Sequence, residues 1–218
     1  MSGAIFFDLD GTLVDTSRDI LASLHYAAKS NGYVSARFAR DLIGLPVRSI
    51  FAQTIHGISE NEIDALETAF RQHHDSNLMM HWRPYVGLDA LLKFLYGNRL
   101  DYYVITNRPR SGVLNLIRSG FSLITQDRFF CLSELGSDSK TSLLRSVLAL
   151  KRLDPETSML FGDHEGDILA GTSNSIVSYF CSYGFGAHMA TVNSEKTYRS
   201  VTSLFEVRRE IESFWRIF

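Results

Sequence analysis

Short runs of apolar residues alternate along the chain with longer segments in which apolar residues recur every three or four positions. The short runs predict strands at residues 4–7, 102–105, 129–132, 159–161 and 176–181. The spaced segments predict helices at residues 88–96, 112–119, 140–150, 167–172 and 203–214. Because strands and helices alternate, we predict an α/β fold in which a Rossmann-like parallel sheet is covered by helices on both faces.

The segment from residue 16 to residue 81 interrupts this alternation. Helical spacing runs from Ile20 to a stop at Asn31-Gly32, and a second helical run follows Ser59, a good N-cap residue. No strand is predicted between the two helices, so the segment is expected to be an all-helical insert. The predicted domains are an α/β core, residues 1–15 and 82–218, and a helical cap, residues 16–81.

Composition narrows the class of protein. The 218 residues are 45% apolar and 21% charged, which is typical of a globular protein with a substantial core. A net charge of −2 gives no reason to expect nucleic acid or a membrane surface as a partner, and no apolar run approaches the roughly 20 residues that span a bilayer. Cys131 and Cys181 lie in or beside apolar runs. We therefore expect a cytoplasmic protein with reduced thiols and no signal peptide, whose oligomeric state stays open.

Two acidic residues directly follow the first predicted strand. Asp8 and Asp10 are separated by one residue, and Gly11 permits a turn just after them. Carboxylates this close together at a strand end repel each other unless a cation or another partner compensates their charge. Such a pair could present one carboxylate to a substrate and the other to its leaving group. A strand that ends in an Asp-Gly turn is the alternative.

Three later segments place further polar groups at strand ends or helix starts. Thr106 and Asn107 follow one strand, where a hydroxyl and an amide can donate hydrogen bonds to a phosphate. Lys140 begins a helix, where its charge suits a phosphate or crowded carboxylates better than the helix dipole. Asp163 and Asp167 are four residues apart, which puts both on one helix face and favours a nearby cation. Each feature alone fits a turn, a solvated lysine or a helix N-terminus, but together they predict one site at the mouth of the sheet.

In this order the motifs resemble those of the haloacid dehalogenase-like hydrolase superfamily, and within it the phosphoglycolate phosphatase group. The resemblance covers nearly the whole chain. It rests on the motifs Asp8-Leu9-Asp10-Gly11-Thr12-Leu13-Val14-Asp15, Ile105-Thr106-Asn107, Lys140, Gly162-Asp163 through Asp167, the re-entry segment Arg83-Pro84-Tyr85-Val86-Gly87 and the late loop Tyr183-Gly184-Phe185-Gly186. The chain departs from the usual residues at Arg108, where relatives often have lysine, at Thr141, where many have proline, and at His164, where a small hydroxyl residue is common.

The resemblance implies roles for the acid pair. Asp8 would attack the substrate phosphorus and form an aspartyl-phosphate, and Asp10 would protonate the leaving oxygen and then activate water. Thr106 and Lys140 would hold the phosphoryl oxygens, and Lys140 would also neutralise Asp8. An acid at position 10 argues against the dehalogenating and phosphonate-cleaving members of the superfamily, which lack it.

A metal ion is also implied by the resemblance. Mg²⁺ would bind the Asp8 carboxylate, the Asp10 backbone carbonyl and Asp163, and Asp167 would be a further ligand or a support. The ion would offset the charge that these carboxylates concentrate at one strand end.

The helical insert offers candidates for substrate recognition. Gly44-Leu45-Pro46-Val47-Arg48 resembles the cap loop that faces the site in relatives, and Arg48 could pair with a carboxylate or second phosphate of the substrate. A solvated arginine is the alternative. His73, His74 and His81 are interpreted as a solvated helix face, because adjacent histidines on a helix point apart and no cysteine is near.

The sequence thus predicts a Mg²⁺-dependent phosphatase that hydrolyses a small phosphorylated metabolite similar to phosphoglycolate. Two alternatives stay open. A sugar phosphomutase of the same superfamily would share every core residue named above, and a non-catalytic binding protein could retain the fold. Release of phosphate from phosphoesters separates hydrolysis from both.

Overall fold

Six parallel strands form the central sheet of the computed structural model, which describes residues 2–76, 80–132, 134–186 and 198–216. The strands of this sheet are β1 (Ile5–Phe7), β4 (Tyr102–Thr106), β5 (Phe129–Cys131), β6 (Met159–Gly162), β7 (Val177–Cys181) and β8 (Arg199–Val201). Two short strands, β2 (Val14–Asp15) and β3 (Arg83–Pro84), pair separately. The helices are α1 (Ser17–Ser30), α2 (Val47–Thr54), α3 (Glu60–Ser76), α4 (Leu88–Gly97), α5 (Arg110–Arg118), α6 (Lys140–Lys151), α7 (Glu165–Thr172) and α8 (Leu204–Trp215).

The order of the strands fixes where a ligand can bind. Their order across the sheet is β5-β4-β1-β6-β7-β8, so the chain first adds strands on one side of β1 and then on the other. Strand β1 pairs in parallel with both β4 and β6. In open parallel sheets, ligands bind beyond the carboxyl ends of the strands at the point where the order reverses. That point lies between β1 and β6.

Two apolar layers cover the sheet, as the alternation of strands and helices predicts. Successive residues of a strand point to opposite faces. Ile5 and Phe7 of β1 pack on one face against α4, α5 and α8, whereas Phe6 packs on the other against Leu143 and Leu144 of α6. The prediction of a Rossmann-like parallel sheet with helices on both faces is confirmed.

Helices α1, α2 and α3 have a hydrophobic cluster of their own. Its buried members include Leu24, Phe51 and Leu66, one from each helix. The antiparallel ladder between β2 and β3 lies where the chain leaves for these helices and where it returns. We call residues 16–81 the helical insert. The exact domain boundaries stay a prediction.

Most predicted elements match the structure within two residues at each end. The sequence does not predict α2, β2, β3 or β8. Strands β2 and β3 have two residues each, β8 has a single buried residue among its three, and the eight residues of α2 make barely two turns, so none of them gives a clear apolar pattern. These elements form because of their tertiary neighbours.

Two expectations from composition can be compared with the structure. Cys131 and Cys181 are buried and free. Among the described residues, no helix has the length and apolar character required to cross a membrane.

We predict that Leu24→Ala destabilises the protein by about 2–5 kcal/mol, because it removes a fully buried side chain from the cluster of the helical insert. Val34→Ala is the matched control, since Val34 lies in the same insert and is 69% exposed. Its effect should stay within about 0.5 kcal/mol. Urea unfolding of both variants measures the difference, and equal effects would contradict this account of the insert's core.

Candidate active site

The groups predicted from separate motifs meet at the carboxyl end of the sheet. Asp8 follows β1, Thr106 ends β4 and Asp163 follows β6. Lys140 is the first residue of α6, and Asp167 lies in the first turn of α7. All five side chains line one cavity. The chain thus brings them together from segments far apart in sequence.

Lys140 is the centre of this arrangement. Its Nζ donates to Asp8 Oδ1 at 2.7 Å and to Asp167 Oδ1 at 2.5 Å. Burial alone would lower the pKa of Lys140, but the charges of Asp167 and Asp8 outweigh it and raise that pKa. The lysine is therefore a permanent cation shared by two carboxylates.

Helix caps fix the two helix starts that carry Lys140 and Asp167. Ser139 caps α6, and its Oγ accepts from the backbone N–H of Ser142, so the first turn that carries Lys140 is fixed. In α7 the cap is His164, whose backbone N–H donates to Asp167 Oδ2 at 3.0 Å. Asp167 thus uses one oxygen to cap its own helix and the other to bind Lys140.

The late loop after β7 fixes Asp163. Its Oδ2 accepts from the backbone N–H of Phe185 at 2.6 Å, and its Oδ1 accepts from Thr12 Oγ1 at 3.3 Å. The Tyr183 hydroxyl donates to the Thr12 carbonyl at 2.9 Å, which ties this loop to the first motif. The same loop therefore binds both Asp163 and the backbone of the first motif at Thr12.

Gly11 lets the first motif pass close to Asp163. Its φ of +91° lies in the left-handed region, and a Cβ built there would lie 2.1 Å from Asp163 Oδ2. A side chain at position 11 would thus meet both backbone strain and a carboxylate that the site needs.

Buried negative charge exceeds positive charge in this cluster. One carboxylate oxygen from each of Asp8, Asp163 and Asp167 lies within 4.8 Å of the others, and all three residues are buried. Burial raises the pKa of Asp8, with Asp167 and Asp163 adding to the rise and Lys140 opposing it. Burial and the charge of Asp167 raise the pKa of Asp163 to about 7. Three carboxylates face one ammonium here. Because carboxylate oxygens are the ligands that hard divalent cations prefer, the cluster fits an ion such as Mg²⁺.

Asp10 has a different partner from Asp8. Arg108 Nη2 donates to Asp10 Oδ1 at 2.6 Å and Arg108 Nε donates to Oδ2 at 3.1 Å, while Thr16 Oγ1 donates to Oδ1 at 2.5 Å. Burial opposes ionisation of Asp10, but the charge and hydrogen bonds of Arg108, together with Thr16, outweigh it and lower the pKa of Asp10.

His74 corrects one interpretation made from the sequence. It is 8% exposed, and its Nε2 lies 2.7 Å from Arg108 Nη1. The prediction of a solvated histidine face is therefore wrong for His74, although His81 is exposed. Burial and the Arg108 charge lower the pKa of His74 to about 3, so the ring is neutral at pH 7.

A cavity of about 500 Å³ lies between the core and the helical insert. Its core side includes Asn107, beside the residues already described. The insert side is mainly apolar and includes Leu45, Val47 and Phe70. The loop at residues 44–48 thus faces the carboxylates, as the resemblance implies.

Arg48 lines this cavity, but acids of α3 already engage its guanidinium. Arg48 Nη2 donates to Glu60 at 2.6 Å and Nη1 donates to Glu67 at 3.2 Å, with a further bond to Asp64. These pairs are largely exposed, so they are weak and exchangeable. A role for Arg48 in substrate binding stays a prediction.

The family model described as haloacid dehalogenase-like hydrolase matches residues 5–180. The chain belongs to this family. Membership confirms the resemblance drawn from the motifs and the expectation of an enzyme of the hydrolase class. The match spans every residue of the cluster and of the helical insert.

Curated relatives of this haloacid dehalogenase-like hydrolase are similar over most of their length. A 5'-nucleotidase of Pseudomonas aeruginosa is 29% identical over 84% of this chain and 84% of its own. Phosphoglycolate phosphatase 1 of the same organism is 29% identical over 83% of this chain and 70% of its own. A solved hydrolase of the family from Streptococcus pneumoniae has a TM-score of 0.81 at 24% identity, covering 96% of this chain and 98% of that one. This last likeness supports the fold.

Sequence reasoning assigns no role to three contributors to the site. Thr16 and the Phe185 amide act through short loops that carry no periodic signal. His74 did carry one, because it follows Phe70 by four residues and so continues the apolar face of α3. The sequence shows an arginine at position 108, where relatives often have lysine. It does not show that His74 of α3 is the partner of this arginine.

We predict that Gly11→Ala destabilises the hydrolase by about 1–3 kcal/mol and disturbs the carboxylate cluster, because the new Cβ has no room beside Asp163. Gly32→Ala is the matched control, since Gly32 has a similar φ of +87° and nothing within 4 Å of a built Cβ. Urea unfolding gives the difference that the Asp163 contact causes. Equal destabilisation by the two substitutions would show that the close approach is unimportant.

Proposed function

We propose that this hydrolase is a Mg²⁺-dependent phosphatase that acts on a small phosphorylated metabolite through an aspartyl-phosphate on Asp8. One observation carries the proposal. A buried carboxylate that follows a central strand is paired with a buried lysine, and both line one cavity together with two further acids. Relatives named for 5'-nucleotidase, phosphoglycolate phosphatase and pyrophosphatase activity support a phosphate-ester or anhydride substrate.

Asp8 is the proposed nucleophile. Burial favours its protonated form, which could not attack phosphorus, whereas Lys140 at 2.7 Å favours the carboxylate. After the attack, the same ammonium and the Thr106 hydroxyl at the end of β4 stabilise the negative charge of the phosphoryl oxygens. Placement and charge compensation are therefore the main contributions of this chain.

Asp10 is the proposed general acid and base. It lines the same cavity as Asp8, and its charge is balanced separately by Arg108. It would give a proton to the leaving oxygen and take one from the water that hydrolyses the intermediate. The apolar wall of the insert would keep other water from the reacting groups.

Asp8, Asp163, Asp167 and the Asp10 carbonyl would hold Mg²⁺. When bound, the ion supplies positive charge to the transferring phosphoryl group. Lys140 cannot substitute for it, because this one ammonium pairs with Asp8 and Asp167 and makes no pair with Asp163.

The size of the cavity supports a leaving group larger than that of phosphoglycolate. About 500 Å³ accommodates a leaving group much larger than glycolate, such as a sugar or nucleoside. An assay panel of phosphoglycolate, sugar phosphates, nucleotides and pyrophosphate ranks these classes. Formation of a phosphosugar isomer without phosphate release would instead indicate a phosphomutase, and no release from any member would favour a binding protein.

We predict that Asp8→Asn lowers kcat by about 10³-fold or more while the fold persists, because Asp167 still pairs with Lys140. Phosphate release from the best substrate of the panel and the circular dichroism spectrum are the measurements. Asp89→Asn, a substitution of an exposed residue of α4, is the control. Undiminished turnover by Asp8→Asn would refute the nucleophile assignment.

We predict that chelation stops turnover and that Mg²⁺ both restores it and raises thermal stability. At a Mg²⁺ concentration about 100 times Kd, the gain is about 2.7 kcal/mol. Asp163→Asn should lose this gain without destabilising the metal-free protein, because it removes one uncompensated buried charge. Scanning calorimetry with and without Mg²⁺ tests this, and an unaltered response in Asp163→Asn would contradict the ligand assignment.

A further inference from the structure

Arg108 connects the acid pair of the core to the helical insert. We propose that Arg108 and His74 form a latch between α3 and the core that positions the Asp10 carboxylate. The proposal rests on the proposed function, in which Asp10 exchanges protons with the leaving group and with water. Neither latch residue is assigned a part in the reacting bonds, so both are positioning residues.

The first half of the latch is the fork between Arg108 and Asp10. The two donors Nη2 and Nε reach different oxygens of the carboxylate, at 2.6 and 3.1 Å. Two parallel bonds fix the plane of a carboxylate as well as its position, which a single charge cannot do. Arg108 is 7% exposed, so solvent contributes little to holding it.

The second half of the latch comes from the insert. Arg108 Nη1 lies 2.7 Å from His74 Nε2. A guanidinium has only donors, so Nε2 accepts and the proton of the neutral ring is on Nδ1. That Nδ1 lies 3.2 Å from Ser23 Oγ, whose own proton goes to the Asp19 carbonyl at 3.0 Å. Every donor in this chain of hydrogen bonds therefore meets an acceptor.

The latch spans two parts of the molecule. Asp10 and Arg108 belong to the core, while His74 and Ser23 belong to α3 and α1 of the insert. The chain of bonds is complete only when α3 lies against the core, where α5 also holds it through Asn115 and the Asp75 carbonyl. The position of Asp10 is thus coupled to the placement of the insert over the cavity.

The coupling affects one step of the proposed reaction, the transfer of a proton to the leaving oxygen. Asp10 first takes a proton from solvent; when an Asp8 oxygen then bonds to phosphorus, the bond to the leaving oxygen breaks and that oxygen receives the proton from Asp10. An alkoxide leaves poorly without this proton, whereas p-nitrophenolate leaves readily as the anion. Loss of the latch should therefore impair alkyl phosphates selectively.

The test compares kcat/KM for an alkyl phosphate and for p-nitrophenyl phosphate. His74→Phe keeps the aromatic ring that stacks on Phe70 but removes the acceptor. It should lower kcat/KM for the alkyl phosphate about tenfold and for p-nitrophenyl phosphate less than about twofold. His74→Gln, whose amide oxygen can accept from Arg108, should restore most of the loss. His56→Gln, on an exposed histidine of the insert, is the control.

The partner variant tests whether the two residues act together. Arg108→Lys keeps the charge but cannot reach both Asp10 oxygens and His74, so it should resemble His74→Phe. The double variant should be no worse than either single one, because both remove one latch. Partial unfolding lowers kcat/KM for both substrates by the same factor and leaves the ratio of the two values unchanged.

Three outcomes would overturn the latch. They are equal losses on both substrates, additive losses in the double variant, or faster cleavage of the alkyl phosphate by His74→Phe. If the wild type releases phosphate from neither ester, ¹⁵N NMR of the His74 ring decides the latch, and the proposed function fails only when no member of the substrate panel releases phosphate either. An Nδ1-protonated ring whose Nε2 signal moves in Arg108→Lys supports it, and an unmoved signal overturns it.

Discussion

One ammonium group shared between two buried carboxylates is the interaction on which the site depends. Lys140 binds Asp8 and Asp167 at once, and a third acid lies beside them. Carboxylates out of water are costly unless they are paired, so without this lysine the cluster would be neutralised by protonation. Three acids face this one ammonium, and a cluster of carboxylate oxygens with that composition fits a divalent cation.

The sheet makes this ion pair possible. Asp8 and Lys140 are 132 residues apart in sequence, yet the reversal of strand order puts β6 beside β1 and places α6 and α7 on the same face. The capping bonds at Ser139 and His164 then fix both helix starts. Because strand ends and helix N-termini are determined by short-range rules, each motif could be located in the sequence, although only the motifs together predicted one site.

Contacts between distant segments were not predictable in the same way. Period and strand-end logic predict the sheet strands other than β8, as well as Asp8, Thr106, Lys140 and Asp163. They do not predict that Arg48 meets the acids of α3, or that His74 reaches Arg108 across 34 residues. The local pattern on α3 marks His74 as buried, but the identity of its partner depends on how the insert docks. Local propensity can therefore be read from the sequence, whereas the packing of distant segments against each other cannot.

The two acids after β1 lie in different electrostatic environments, although only one residue separates them. Asp8 must share its lysine with another carboxylate, and burial raises its pKa. Asp10 has both oxygens bound by Arg108, whose charge lowers its pKa. Two carboxylates separated by one residue therefore lie in opposed electrostatic environments, and such a separation is how enzymes divide roles between identical groups. Since Arg108 is itself bound by His74 of α3, the environment of Asp10 depends on the helical insert as well as on the sheet.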